Sequence, residues 1–332
     1  MRIFLAGDAV TGTGPANVTK YYIDNLPAGT LYQKRRNKAA RAVEILINTI
    51  RADVAVYSGY SKQNILGMKI ARFLHKPSAY IMHGCVEHEN DINLERDEKM
   101  NAVERATLDL TDLVIAVSSG FASWLREHYP MYADKIDYVT NGIDTSLSAG
   151  DIEDGQRNRH MIFSIGGGMP RKKIRHICEA VAKLRSEYDP DLCLCVTGDT
   201  GADSAVIDSY DFVDNKGIVS FEENKRLFGE AALFVQNSCF ETFGLAPVEA
   251  ILCGCPVLCS KQIGALEIID DLCDTDVIER FDDPDEIASK IRYNLENPNA
   301  QRLIGRIDRE SYSWRSRSIQ LTKKLSELVS KK

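Results

Sequence analysis

The densest chemistry in this sequence lies in Asn237-Ser-Cys-Phe-Glu241-Thr-Phe243-Gly244-Leu245-Ala-Pro-Val-Glu249-Ala-Ile-Leu-Cys-Gly-Cys-Pro-Val257. Gly244 frees the chain to turn and Pro247 suits a first helical turn. Glu241 is then expected to end a loop and Glu249 to fall at a helix start. Both carboxylates would line one pocket, with free N–H groups of Gly244 and Leu245 between them. The simpler alternative is that two acids merely offset a helix dipole. A second cluster, Ile165-Gly166-Gly167-Gly168-Met-Pro-Arg171-Lys172-Lys173, sets cations directly after three glycines. Loop N–H groups, a helix N-terminus and those cations would together form a diphosphate cradle. A solvated charge run would leave the glycines unexplained. His83, in Tyr80-Ile-Met-His83-Gly84, closes an apolar run, where an imidazole can donate to a substrate hydroxyl or oxyanion.

These groups need elements to hold them. Strand-length apolar runs at Met1–Ala6, Val54–Ser58, Ser78–Met82 and Leu113–Val117 alternate with helical stretches at Val18–Asn25, Asn37–Arg51, Ile65–His75, Glu95–Leu110 and Gly120–His128. A polar stretch, Ser146 to Arg159, reads as a linker, and the pattern then restarts. Strands are expected at Met161–Ile165, Leu192–Thr197, Gly217–Ser220, Ala232–Gln236 and Pro256–Ser260. Helices are expected at Ile174–Tyr188, Glu222–Gly229, Pro247–Cys253, Asp283–Glu296 and Ser313–Ser330. Continuous rather than alternating apolar runs point to parallel strands buried on both faces. The fold class is therefore α/β, two Rossmann-like domains with parallel sheets facing across a cleft. The expected boundaries are 1–145, 160–312 and a C-terminal helix at 313–332. In such folds ligands sit beyond the carboxyl ends of strands. The first such loop holds Gly7, Gly12 and Gly14 but matches neither G-x-G-x-x-G nor G-x4-G-K-[ST].

Composition excludes much else. The chain has 332 residues, 44% apolar and 27% charged, enough for two domains with cores of their own. A net charge of −7 argues against a whole surface built to grip nucleic acid. No apolar run approaches the roughly 18 residues of a spanning helix, and the start of the chain reads as a strand rather than a signal peptide. Nine cysteines, mostly within apolar runs and lacking zinc-ligand spacing, read as reduced buried thiols of a cytoplasmic protein.

The phrase S-x-x-E-x-F-G-L-x-P-x-E-A-x-x-x-G-x-P-V closely resembles glycosyltransferase family 4, the retaining GT-B enzymes of group 1. The resemblance extends to Thr13-Gly14-Pro15, His83-Gly84, Asn141-Gly-Ile-Asp144, Pro170-Arg171-Lys172, Ile263-Gly-Ala-Leu-Glu267 and Tyr312-Ser-Trp314. One departure is Gly166-Gly167-Gly168, where the family writes Gly-Arg; Arg171 or Lys173 is then the candidate for that second positive charge. The resemblance implies a hexosyl transfer from a nucleotide-diphosphate sugar, UDP by family frequency, to a glycan or lipid-linked acceptor in cell-surface polysaccharide or glycolipid synthesis. By the same resemblance, Glu249 binds the donor ribose, Arg171 and Lys172 neutralise the diphosphate, Glu241 holds the donor sugar and His83 contacts its hydroxyls. Gly14, Lys173, Phe243, Gly244 and Leu245 would complete the donor contacts, and the last helix would return to the N-terminal domain. No cofactor or metal is expected, and no D-x-D follows a strand. The basic run Lys34, Arg35, Arg36, Lys38 and Arg41 resembles patches with which family members touch the inner face of the membrane; a solvated helix face is the alternative. A non-catalytic nucleotide-sugar-binding subunit, or a Rossmann epimerase or dehydrogenase, is the rival reading. The latter lacks its early glycine fingerprint and a Tyr-x3-Lys pair in a credible site helix.

Overall fold

A computed structural model describes residues 1–35, 37–148 and 157–331. Arg36 of the basic run, and residues 149–156 of the expected linker, lie outside the described residues. The chain divides into two compact units. One comprises Met1–His88, Arg96–Gly142 and Glu310–Lys332, the other Glu89–Glu95 and Ile143–Arg309.

The first unit runs β1 (Ile3–Ala6), α1 (Gly14–Asn25), β2 (Leu31–Tyr32), α2 (Lys38–Arg51), β3 (Val54–Ser58), α3 (Lys62–Phe73), β4 (Ser78–Met82), the start of α4 (Val86–Asn93, whose residues from Glu89 on belong to the second unit), α5 (Glu98–Leu110), β5 (Leu113–Ala116), α6 (Ser119–His128) and β6 (Ile136–Tyr138). Its six strands pair in the order β2-β1-β3-β4-β5-β6, all parallel. Every residue of β1, β3 and β4 is buried, as expected for strands covered by helices on both faces. Helix starts are set by local chemistry. The Asn37 side chain accepts from the N–H groups of Ala39 and Ala40, which makes Asn37 the cap of α2 rather than its first residue. Ser61 and Ser118 cap α3 and α6 in the same way.

The second unit runs β7 (Asn158–Ile165), α7 (Ile174–Glu187), β8 (Cys193–Thr197), α8 (Ser204–Ile207), β9 (Val213–Asn215), α9 (Phe221–Glu230), β10 (Ala231–Gln236), α10 (Ala246–Leu252), β11 (Val257–Ser260), β12 (Val277–Ile278), α11 (Pro284–Glu296) and α12 (Ala300–Ile304). Its sheet is again parallel, ordered β12-β11-β10-β7-β8-β9. Ile162, Leu194, Leu233 and Val235 from the strands meet Val181, Ile287 and Ile291 of α7 and α11 in its core. The expected strand at Gly217–Ser220 is a loop, and the strand there is β9. Gly217 sits at φ +64°, outside strand geometry, its carbonyl accepts from Gly198 N, and Ser220 caps α9. The strand β7 begins at Asn158, so the polar end of the expected linker is already in the sheet.

The last helix, α13 (Trp314–Ser330), belongs to the first unit. Trp314 stacks on Tyr21 with ring centroids 4.8 Å apart and meets Tyr22 edge-on at 5.5 Å. Gly142 lies under the same indole: a Cβ there would come within 2.5 Å of Trp314 Cδ2. The glycine of Asn141-Gly-Ile-Asp144 is thus required by this close approach.

Candidate donor site

In the second sheet the chain runs outward from β7 through β8 to β9, then resumes on the other side of β7 with β10. Loops that leave adjacent strands in opposite directions part at that point, and the crevice between them is where doubly wound sheets bind ligands. The loop after β7 carries Arg171, Lys172 and Lys173; the loop after β10 carries Glu241 and leads through Gly244 into α10 with Glu249.

The three glycines shape this loop rather than line it with donors. Gly166 N and Gly167 N both donate to Thr197 O, at 2.7 and 2.9 Å, and Gly168 N donates to Asp199 O at 2.9 Å. Their N–H groups are consumed, which corrects the expectation of a backbone phosphate cradle. Gly166 and Gly167 adopt φ +148° and +55°. A Cβ on Gly167 would sit 1.9 Å from Asp199 O, and one on Gly166 would strike the Lys172 side chain at 2.4 Å. The glycines let the loop lie flat on the β8 turn and lay the lysine stem across it.

Lys172 and Arg171 converge on one carboxylate. Lys172 Nζ donates to Glu241 Oε2, and Arg171 Nη1 reaches the same oxygen at 3.2 Å. Gln236 Nε2 adds a third donor at 3.3 Å. Burial opposes ionisation of Glu241, but the two cations overcome it and hold its pKa at about 2. Burial also lowers the Lys172 pKa, against the pull of Glu241, whereas Arg171 is raised because its carboxylate neighbours outweigh its burial. The second unit supplies further partners that the sequence did not flag. Glu89 Oε2 lies 3.6 Å from Arg171 Nε, and Asn93 Oδ1 accepts from Arg171 N at 3.2 Å. Both come from α4, remote in sequence, so only the fold reveals them. Lys173 takes a different part. It adopts φ +52° just before α7, and its ammonium lies 5.9 Å from the Phe281 ring centroid.

Glu249 occupies the opposite electrostatic setting from Glu241. Burial, reinforced by the Asp144 charge, raises its pKa to about 7. Among the described residues its carboxylate has no cation within 4 Å and no hydrogen-bond donor. The N–H groups of Gly244 and Leu245 likewise find no acceptor among the described residues. Gly244 itself sits at φ +79°, and a Cβ there would lie 2.7 Å from Glu241 Cγ, so glycine both makes the turn and admits the glutamate. Phe243 is buried, and its carbonyl accepts from Ala265 N at 2.7 Å.

His83 lies in the first unit, just beyond β4. Its Nε2 shares a 2.8 Å hydrogen bond with Ser58 Oγ at the end of β3, and Ser58 in turn meets Thr19 Oγ1 of α1 at 2.7 Å. Burial depresses the imidazole pKa to about 4, so the ring is neutral at working pH. Gly14 opens α1 directly after the exposed loop in which Asp8 accepts from Val10 N and Thr11 Oγ1.

Comparison with known proteins agrees with this layout. The family model for glycosyl transferases group 1 matches residues 152–311, and that for Glycosyltransferase Family 4 matches residues 6–147. The chain belongs to this family. It is 26% identical over 258 residues to an MMP α-(1→4)-mannosyltransferase of Mycolicibacterium hassiacum, covering 75% of this chain and 59% of that one. It is 23% identical over 286 residues to a probable sucrose-phosphate synthase of Thermosipho melanesiensis, covering 78% and 66%. The chain thus spans less than two thirds of the length of either relative. The Anabaena protein HepE, crystallised with UDP and glucose, superposes with a TM-score of 0.72 at 16% identity, covering 98% of this chain and 99% of that one. The fold of this family member is GT-B.

Proposed function

We propose that this chain is a retaining glycosyltransferase that moves a hexosyl group from a UDP-sugar to a glycan or lipid-linked acceptor, in the synthesis of a cell-surface polysaccharide or glycolipid. The observation that carries the reading is the pairing of opposites in the second unit: two cations gathered on Glu241, and, eight residues on in the first turn of α10, Glu249 with no donor among the described residues. Arg171 and Lys172 are suited to a diphosphate, whose oxygens would take over hydrogen bonds that Glu241 now accepts. Glu249, half-buried and without a donor among the described residues, is suited to accept from two vicinal ribose hydroxyls. The N–H groups of Gly244 and Leu245, without an acceptor among the described residues, add uncharged donors beside the phosphates. The named ligands and reactions of the relatives support the same class: UDP and glucose for HepE, and mannosyl and sucrose-phosphate synthesis for the two enzymes.

The chemistry then needs little covalent participation from the protein. The acceptor hydroxyl forms the new bond to the anomeric carbon as the bond to the diphosphate oxygen breaks, and the hydroxyl proton passes to that departing oxygen. Attack from the leaving-group side retains configuration. Arg171 and Lys172 stabilise the charge that develops on the leaving group, the term that preorganised sites supply best. His83 is neutral and is assigned hydrogen bonding to a sugar hydroxyl, not proton transfer. The cations fill the electrostatic role that a divalent ion would otherwise serve, so transfer is proposed to need no metal.

The test is incubation with UDP-glucose, UDP-galactose, UDP-N-acetylglucosamine and GDP-mannose, with and without a chelator, reading nucleoside diphosphate release and the anomeric configuration of the product by NMR. Release from one donor, unaffected by chelator, with an α-linked product from an α-donor is expected. An inverted product, or dependence on added metal, would overturn the corresponding part of the proposal.

A further inference from the structure

Two buried hydroxyls lead to His83. Thr19 of α1 is 2% exposed and Ser58, which closes β3, is 6% exposed. Thr19 Oγ1 donates to Pro15 O, one turn back in the helix, at 2.9 Å. It also meets Ser58 Oγ at 2.7 Å, and Ser58 Oγ meets His83 Nε2 at 2.8 Å. The first glycine of the loop after β1 makes room for this chain. A Cβ on Gly7 would lie 2.8 Å from Ser58 Cβ and 3.1 Å from Thr19 Cγ2, so glycine lets β1 end against both hydroxyl residues.

The protons give the chain a direction. A hydroxyl has one proton to give, and a carbonyl can only accept. Thr19 spends its proton on Pro15 O, so it accepts in its bond to Ser58. Ser58 spends its proton on Thr19, so it accepts in its bond to His83. Only a proton on His83 Nε2 then completes all three bonds at once. Burial keeps the ring neutral, with its pKa down at about 4, so it carries that one proton and leaves a lone pair on Nδ1. Nδ1 is shielded from water, which keeps its lone pair for a group held against the ring.

We propose that Thr19 and Ser58 are positioning residues of the transfer: they hold the His83 proton on Nε2, so that the ring meets a sugar hydroxyl as an acceptor through Nδ1. In that state the ring has no N–H left for a phosphate or other oxyanion. A hydroxyl can donate to the lone pair, whereas a carboxylate, which only accepts, cannot. The inference rests on the transferase reading for what the ring meets, but not for where its proton lies.

Long-range proton–nitrogen NMR of the full chain, grown with isotope-labelled histidine and free of sugar donor, reads which ring nitrogen is protonated; His83→Asn identifies the signal. Wild type is expected to carry the His83 proton on Nε2. Thr19→Val keeps the shape of the side chain and removes the acceptor, so Ser58 should turn its proton onto Nε2 and the ring proton should move to Nδ1. Thr19→Ser restores the hydroxyl and should restore the wild-type form. Turnover at saturating sugar donor should fall about tenfold in Thr19→Val, the worth of one hydrogen bond between neutral groups, and recover in Thr19→Ser. It should fall no further when Thr19→Val is added to His83→Asn, because both act through one ring. A wild-type ring protonated at Nδ1, or a proton unmoved by Thr19→Val, would overturn the relay. A moved proton with wild-type turnover, or a further loss in the double variant, would overturn the positioning role. Failure of the transferase reading would leave these spectra unchanged and would show instead as a wild type that turns over no sugar donor.

Discussion

Replacing Glu249 by Gln should stabilise the protein and weaken its ligand binding together. In the folded chain the carboxyl titrates at about 7 instead of its ordinary 4.5, because it is enclosed without a donor and faces Asp144. A carboxyl with a raised folded pKa contributes stability in full below about 4.5 and loses it as pH climbs through 7. At about 1.4 kcal/mol per unit the loss would reach about 3 kcal/mol for a fully enclosed group. Partial exposure of the residue reduces that to about 1–2 kcal/mol. Glutamine has the same shape and no charge to desolvate. Urea unfolding at intervals from pH 4.5 to 8 should therefore show the two proteins diverging, with Glu249→Gln the more stable by about 1–2 kcal/mol at pH 8. Calorimetry on the same samples should show nucleotide-sugar affinity lower by about 10- to 100-fold, the worth of a hydrogen bond to a charged acceptor. Parallel stability curves, or a variant less stable at pH 8, would refute the view of Glu249 as an enclosed acid kept for a ligand.

Three further outcomes follow from the geometry. Lys172→Ala should slow transfer by about 10²-fold or more, because it removes a preorganised charge from the leaving group; steady-state turnover at saturating donor reads it, and unchanged turnover excludes the role. Gly142→Ala should cost about 1–3 kcal/mol, since its methyl group would strike the Trp314 indole, and limited proteolysis should then cleave α13 earlier than in wild type. The pH–rate profile between 5.5 and 8 should carry no inflection from His83, whose pKa is pushed down to about 4, and His83→Asn should lower the rate without changing that profile's shape.

Much of the architecture was legible because parallel strands covered on both faces must be apolar throughout. Val54–Ser58 and Ser78–Met82 stand in the structure with the bounds their apolar runs suggest. Where burial is incomplete the signal faded. The edge strands Leu31–Tyr32 and Val213–Asn215 are short and partly exposed, and the latter lies just before the 217–220 run that the apolar pattern favours. At the candidate site, residue types and spacing pointed to Arg171, Lys172, Glu241 and Glu249, but not to their grouping. The two glutamates read as a matched pair. In the structure one is clamped by cations and the other has no donor among the described residues, a difference set by loops far apart in sequence. The triple glycine was read for its donors, yet its N–H groups serve the neighbouring β8 turn. Glu89, Asn93 and Gln236 gave no signal, because a lone polar residue reveals nothing until the fold supplies its neighbour.

The central claim is that the loops after β7 and β10 hold a nucleoside diphosphate through Arg171 and Lys172. Isothermal calorimetry comparing UDP with uridine, on wild type and on Arg171→Ala/Lys172→Ala, tests it most directly. The account predicts that UDP binds wild type far more tightly than uridine does, and that the double variant loses most of this difference while remaining folded. Equal affinities for UDP and uridine, or a diphosphate preference that survives in the folded double variant, would contradict it.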